Sequence, residues 1–392
     1  MVIDLQRHIY TICMRPFSPE WIDPMKILIL PLLLILLFRP PTALAEDLSV
    51  RVHNLPPKGS LVLRVYSDPD SFADFRNPVR EQRFSIRPGE RYVVSGVPEG
   101  EVAVLAFFDE NDNRALDKNF MGIPRESLGL SNNYQPKGPP SFQQAAITVA
   151  PDGPNPVDIH LYELLGDSGQ WGVGMGVIGR NSPYLDSDTN VVQAFPVVTY
   201  FGERLQWIGP SLRYGVLGSD RLRLAVTASY RMGAYEEKDA EILEGLGDRD
   251  DTVFGGVALT YEGPAGTEFD LRYQHDLLDR FGGGTASASV SRGFQFGRLR
   301  LMPSLGVNWL SGDLANYDFG VPTSAAIPGR PAYTVGNSYT IEASMGGMFE
   351  LSERWRLALN VAMEKLDNKI TDSPIVDEDY VVTGFAAMTY SF

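Results

Sequence analysis

From residue 171 onward, apolar and polar residues alternate with period two. In residues 221–231, Leu222, Leu224, Val226, Ala228 and Tyr230 share one face; Arg221, Arg223, Thr227, Ser229 and Arg231 share the other. Residues 298–309 set Leu299, Leu301, Pro303, Leu305, Val307 and Trp309 against Arg298, Arg300, Ser304 and Asn308. In residues 354–364, Trp355, Leu357, Leu359, Val361 and Met363 oppose Arg354, Arg356, Asn360 and Glu364. The final stretch, 381–392, places Val382, Gly384, Ala386, Met388, Tyr390 and Phe392 opposite Thr383, Phe385, Ala387, Thr389 and Ser391. This pattern predicts β-strands with one apolar face. An Arg-bearing face fits a wet lumen, and an aliphatic face ending in an aromatic fits lipid and an interfacial girdle. A soluble sandwich would alternate in the same way, so alternation alone leaves both open.

Loop lengths separate them. A first count gives about eleven strands, with long loops on both sides of the sheet. Breaking residues 205–216 into a hairpin at Gly209-Pro210 removes both problems, because Pro cannot sit inside a central strand. The count becomes about twelve, and both ends of the sheet fall on the short-turn side. Short turns are then expected at Gly202-Glu203, 218–220, 263–266, Gly297 and Ser352-Glu353. Longer loops are expected at 181–190, 233–251, 278–284, 311–336 and 366–379, and the Gly209-Pro210 turn is a short one on that side.

Residues 47–163 read differently. Strands are expected near 48–52, 61–66, 91–94, 102–108, 146–149 and 157–162, separated by Pro/Gly turns. About six or seven short strands in this length suggest a small sandwich. Residues 164–170, L-L-G-D-S-G-Q, read as a linker. The fold class is thus all-β: an N-terminal periplasmic sandwich, then a C-terminal antiparallel transmembrane barrel of about twelve strands.

Residues 1–45 carry an export signal. Met25-Lys26, an apolar run over 27–38 and Thr42-Ala43-Leu44-Ala45 describe a signal peptide cleaved between Ala45 and Glu46; the rival reading is an N-terminal membrane anchor, for which the apolar run is short. Translation is expected to start at Met25. No later stretch approaches the length of a membrane helix, so a membrane protein made after export must be a barrel. The only cysteine is Cys13, which leaves no internal disulfide and no cysteine metal site. The net charge of −15 argues against nucleic acid as a partner.

Two sites in the chain could carry chemistry. Asp109, Asn111, Asn113 and Asp117 place oxygens at the alternating positions a Ca²⁺ loop uses. Arg114 stands where an EF-hand wants Gly and Phe120 where it wants Glu. Asp and Asn also form turns by bonding nearby backbone N–H groups, so turn and cation site both stay open. His275 in Y-Q-H-D has no Ser or Asn companion nearby, as a barrel-wall hydrolase would need, and Asp248 to Asp251 fit a salt-bridge network. No catalytic residue is expected, and no enzyme.

The motifs carry two resemblances. D-E-N-D-N from Asp109, G-I-P-R-E-S-L-G-L-S-N-N from Gly122 and G-P-P-S-F from Gly138 resemble domain of unknown function family 2141. W-G-V-G-M-G from Trp171, S-P-Y-L-D-S-D from Ser182, F-P-V-V-T-Y-F-G-E-R from Phe195, G-L-G-D-R-D-D-T from Gly245 and D-S-P-I-V from Asp372 resemble the MltA-interacting protein MipA/OmpV family over 171–392. The second resemblance implies an outer-membrane protein. Some members are scaffolds linking a lytic transglycosylase to a peptidoglycan synthase; others are porin-like or adhesive. The tail is also similar to the closing strand of outer-membrane barrels, which implies that Tyr390 and Phe392 form the signal read by the barrel-assembly machinery. The expected partners are outer-membrane lipids, that machinery and peptidoglycan enzymes. The expected role is a scaffold, with a small-solute channel as the alternative.

Overall fold

The computed structural model describes residues 45–392, apart from 88, 121, 137–138, 152, 166–168, 188–190, 219–220 and 264–265. Residues 1–44, with the export signal and the Met25 start, fall outside the described residues, as do 166–168 of the linker and 219–220 of the turn at 218–220. Residues 45–392 form one compact unit.

The N-terminal module contains β1 (Ala45–His53), β2 (Ser60–Tyr66), β3 (Arg80–Ser85), β4 (Arg91–Pro98), β5 (Gly100–Asp109), β6 (Leu128–Leu130), β7 (Ile147–Val149) and β8 (Pro156–His160). One sheet has the order β4-β1-β8 and the other β3-β2-β5-β6, with β7 on β5. Leu48, Val50 and Val52 of β1 point into the space between the sheets, where they meet Leu61, Leu63 and Val65 of β2 and Val102, Val104 and Ala106 of β5. Strand β5 is buried on both faces. Its other face (Ala103, Leu105, Phe107) packs a second core with Val62, Tyr66, Phe72, Leu128, Leu130 and Phe142. This explains its unbroken apolar run, which is what a doubly covered strand shows.

Strands β3 and β6 were not anticipated from the pattern. β3 reads R-E-Q-R-F-S and lies largely exposed at a sheet edge, where charge guards against edge-to-edge pairing. β6 is a three-residue L-G-L fully buried against β5; it is too short to show a period.

The barrel comprises β9 (Gln170–Arg180), β10 (Val191–Phe201), β11 (Leu205–Ile208), β12 (Ser211–Gly218), β13 (Leu222–Arg231), β14 (Thr252–Glu262), β15 (Thr267–Asp276), β16 (Gly284–Arg292), β17 (Phe294–Phe296), β18 (Leu299–Leu310), β19 (Ser338–Glu350), β20 (Trp355–Leu366) and β21 (Tyr380–Ser391). β17 continues β16: Ser291 lies opposite Ser304, and Phe294 opposite Leu301, in unbroken register. That leaves twelve strands. β16 pairs with β18 and β21 with β9, so the sheet closes on itself. The Gly209-Pro210 turn exists, with Ile208 paired to Ser211 across it.

The two faces separate as the parity predicts. Val173, Met175, Val226, Leu305, Val361 and Met363 are exposed on the outer wall. On the inner wall Arg213 bonds Asp270 at 3.0 Å and Gln274 donates to Ser229 at 3.0 Å. With no lipid-facing edge left, every strand backbone can be satisfied within the hydrocarbon layer. Aromatics mark both rims: Trp171 against Tyr200, and Trp355 against Tyr390, at the short-turn end; Trp309 paired with Tyr339 at the other.

Candidate functional site

Both ends of the barrel are covered. At the long-loop end the loops pack on one another. Tyr184, Tyr235, Leu243, Phe319, Ile370 and Ile375 form an apolar cluster drawn from four loops. The helix Gly312–Phe319 enters it, capped by Ser311, whose Oγ accepts from Leu314 N. Arg249 stacks between the rings of Tyr235 and Tyr317, with its guanidinium carbon 4.6 and 4.8 Å from their centroids. The acidic cluster around it is structural: Asp248 accepts from Glu237 N, Asp251 from Gly233 N, and Asp250 pairs with Arg280. Burial pushes the Tyr235 hydroxyl up to about 12 against the opposing pull of Arg249.

At the short-turn end the N-terminal module sits on the barrel mouth, and its contacts reach turns all around the rim. Asn119 Nδ2 donates to Gly202 O at 2.9 Å, and Ser141 Oγ to Gly297 O at 2.9 Å. Asp70, in the short helix Pro69–Ala73, accepts from Gln295 N at 2.7 Å. Asp74 pairs with Arg300 at 2.9 Å, and Arg76 lies 3.7 Å from Glu262. Tyr134 donates to Glu350 at 2.7 Å; burial first, then the Glu350 carboxylate, holds the Tyr134 hydroxyl protonated. Arg125 pairs with Glu203 at 3.3 Å with both side chains more than half exposed.

These pairs differ in weight. The exposed Arg125–Glu203 pair is worth at most about 1 kcal/mol. Removing one partner of the partly buried Asp74–Arg300 pair leaves a desolvated charge and costs about 1–3 kcal/mol. Steric fit adds to them. The ring of Phe120 fills the space where a side chain on Gly215 would begin: a Cβ there would lie 2.1 Å from the ring. Only glycine allows that approach.

The sequence-derived candidates fall in three places, and none of them supplies the contacts just described. Asp109, Asn111, Asn113 and Asp117 do come together. The Asp109 carboxylate, 1% exposed, accepts from Asn113 N and Arg114 N at 3.0 Å each. Asn111 and Asn113 both donate their amides to Asp117, at 2.6 and 2.8 Å. Asn113 Oδ1 accepts from Ala115 N at 2.7 Å. The loop is thus closed by its own side chains, with Asp112 and Arg114 in the left-handed region. Buried Glu126 accepts from Glu110 N and Asp117 N beneath it, and burial raises its pKa. Among the described residues no group of three or more His, Cys, Asp or Glu side chains is placed to hold a metal.

Ala45 opens β1, and Glu46 pairs with Val97. Tyr390 and Phe392 lie at the short-turn rim, their rings edge to face at 5.4 Å. Phe392 N donates to Trp171 O at 3.0 Å, and the Phe392 ring is 66% exposed toward the lipid side.

The residues that seat the module, Asp70, Asp74, Asn119, Phe120 and Tyr134, were not found from the sequence. They lie in irregular segments or, for Asp70, in a five-residue helix too short to show a period. The barrel partner of Asp74, Arg300, was legible as inward-facing.

The closed barrel and its paired tail invite comparison with known outer-membrane proteins. The family of MltA-interacting protein MipA matches residues 173–392. The chain belongs to the MipA family. The uncharacterised bacterial family DUF2141 matches residues 50–156. The MipA part is similar to the putative outer membrane protein YiaT of Escherichia coli, 26% identical over 56% of this chain and 90% of that one. It is similar to outer membrane protein OmpV of Vibrio cholerae, 26% identical over 57% and 87%, and to MltA-interacting protein of Escherichia coli, 25% identical over 57% and 91%. This MipA-family chain is an outer-membrane β-barrel. Such coverage leaves these relatives no length for a second module of this size, so the seated module distinguishes this chain from them.

Proposed function

We propose that this protein is an outer-membrane scaffold whose seated module recruits a peptidoglycan enzyme of the periplasm. One observation carries the reading: the module turns one sheet toward the barrel and leaves the other open. The β3-β2-β5-β6 sheet is covered by the layer that meets the rim, while Arg51, Arg91, Val93, Asp158 and His160 on the outer face of β4-β1-β8 are exposed. His53 and His160 stack there at 4.3 Å, with Asp158 3.4 Å from His53. A module held at many rim positions presents this face in one orientation, which lowers the ordering cost of binding. The name of the relative MltA-interacting protein supports a lytic enzyme as the partner class. The protein itself is then a non-enzymatic anchor.

Crosslinking in intact cells tests it. The wild type should capture a peptidoglycan lytic or synthetic enzyme, and Arg51→Glu with Arg91→Glu should reduce capture at unchanged barrel level. Equal capture by the double variant would remove the open sheet as the docking face.

The polar inner wall supports a second reading, a small-solute channel. Conduction would require both the module and the outer loops to move aside. Planar-bilayer recording of the folded protein separates the two readings. Calcium at the 109–117 loop is a separate proposal. It requires Asn111 and Asn113 to turn their oxygens inward, and melting of the full-length protein with Ca²⁺ against chelator tests it.

A further inference from the structure

A cavity of about 350 Å³ lies between the module and the barrel rim, in the size class of small-molecule sites. Its walls differ in character. The module supplies apolar surface, including Phe75, Ile123 and Pro124, while the barrel supplies Arg223, Arg300 and Arg356 from its inner face. Lys118 lines it as well, so four cationic side chains face three carboxylates, those of Asp74, Glu262 and Glu268.

Those carboxylates are already engaged. Asp74 pairs with Arg300 and Arg76, Glu268 with Arg223 at 3.0 Å, and Glu262 lies 3.7 Å from Arg76. The donors are not all satisfied. Gln170 is 8% exposed, and its Nε2 has no acceptor; buried Arg356 Nη2 has none either. Among the described residues that line the cavity, these are the buried side-chain atoms without a partner, and both are donors. Among the described residues Arg356 has no partner at ion-pair distance; the carboxylate opposite it on β19, Glu350, accepts from Tyr134. Buried donors in native proteins have partners, and a guanidinium left this way fits a carboxylate-like group.

We propose that this cavity binds a small organic anion, with its carboxylate shared between Arg356 and Gln170 and its apolar part against Phe75, Ile123 and Pro124. The site belongs to neither half of the chain alone, so a ligand there stabilises the seated module by mass action. The inference goes beyond the scaffold reading and stands whether or not a protein partner is found.

The test is calorimetric titration of the full-length folded protein, in non-ionic detergent, with benzoate and with its neutral isostere benzamide. Benzoate should give saturable heat that weakens with added NaCl, and benzamide should give none. Arg356→Gln should weaken benzoate at least tenfold, Arg356→Lys by less, and Gln170→Leu by a few-fold. Each variant is first checked for the heat-modifiable gel mobility of a folded barrel. If Arg356→Gln does not fold, Gln170→Leu and the benzoate–benzamide difference decide. Equal binding of the two compounds, no saturable benzoate heat, or benzoate binding unchanged in a folded Arg356→Gln or Gln170→Leu protein would each overturn the proposal.

Discussion

Single residues decide whether the two halves of this chain can meet. Gly215 is such a residue, because the Phe120 ring occupies the place of its missing side chain. Gly215→Val should push the module off the rim and raise its trypsin cleavage rate several-fold, with the barrel still heat-modifiable. Gly384→Ala is the control: its Cβ would meet nothing within 4 Å, and it should change stability by less than about 0.5 kcal/mol. Glu126 acts inside the module, beneath the 109–117 loop. Its pKa is raised in the folded state, mainly by burial. Its contribution is therefore fully present below the unfolded value, about 4.3, and is lost as pH rises through the raised folded value. Module melting should thus rise as pH falls from 7 toward 5, and Glu126→Gln should flatten that dependence.

The closing strand shows what an element adds to its residues. β21 pairs with β20 from Tyr380 to Tyr390 and with β9 from Thr383 to Ser391. Its inner residues Ala387 and Ser391 are each 3% exposed, while Met388 and Phe392 face outward. We predict that deleting Phe392 lowers the amount of folded barrel in the outer membrane, measured as the heat-modifiable band, while the module of any assembled protein keeps its protease resistance. An unchanged folded band would remove the terminal aromatic as an assembly determinant. The loops behave as elements of another kind. Residues 311–336 read as a long loop in the sequence, yet they hold a capped helix whose Leu314, Ala315 and Phe319 are buried. In an eight-residue helix, about two turns, the apolar period hardly repeats.

At the scale of the whole molecule, the barrel is a vessel with a cover at each mouth. Its inner wall is polar; the outer loops pack on one another at one end and the module is bonded to the rim at the other. Arg125 and Glu203 bracket the rim at 3.3 Å, which offers a direct probe. In a Cys13→Ser background, Arg125→Cys with Glu203→Cys should crosslink with a short bis-maleimide in whole cells in high yield. Failure to crosslink in a folded protein would mean that the module does not sit on the mouth in the cell. Replacing Asp74 with Arg should lower module protection, and adding Arg300→Asp should restore part of it, since a coupled pair is not additive.

The sequence by itself determined a count of about twelve strands, the two faces of the four strands that alternate most clearly and the side on which the chain ends lie. These follow from local rules: a strand alternates its side chains, lipid and lumen sort them, and Pro210 forbids an unbroken strand. Only the tertiary structure decided that the module seats on the barrel, that the outer loops share one core and that donors such as Arg356 Nη2 are left unpaired between the halves. Each of these depends on residues more than a hundred positions apart, such as Asp74 and Arg300. Their meeting is set by packing, and no period in the chain records it.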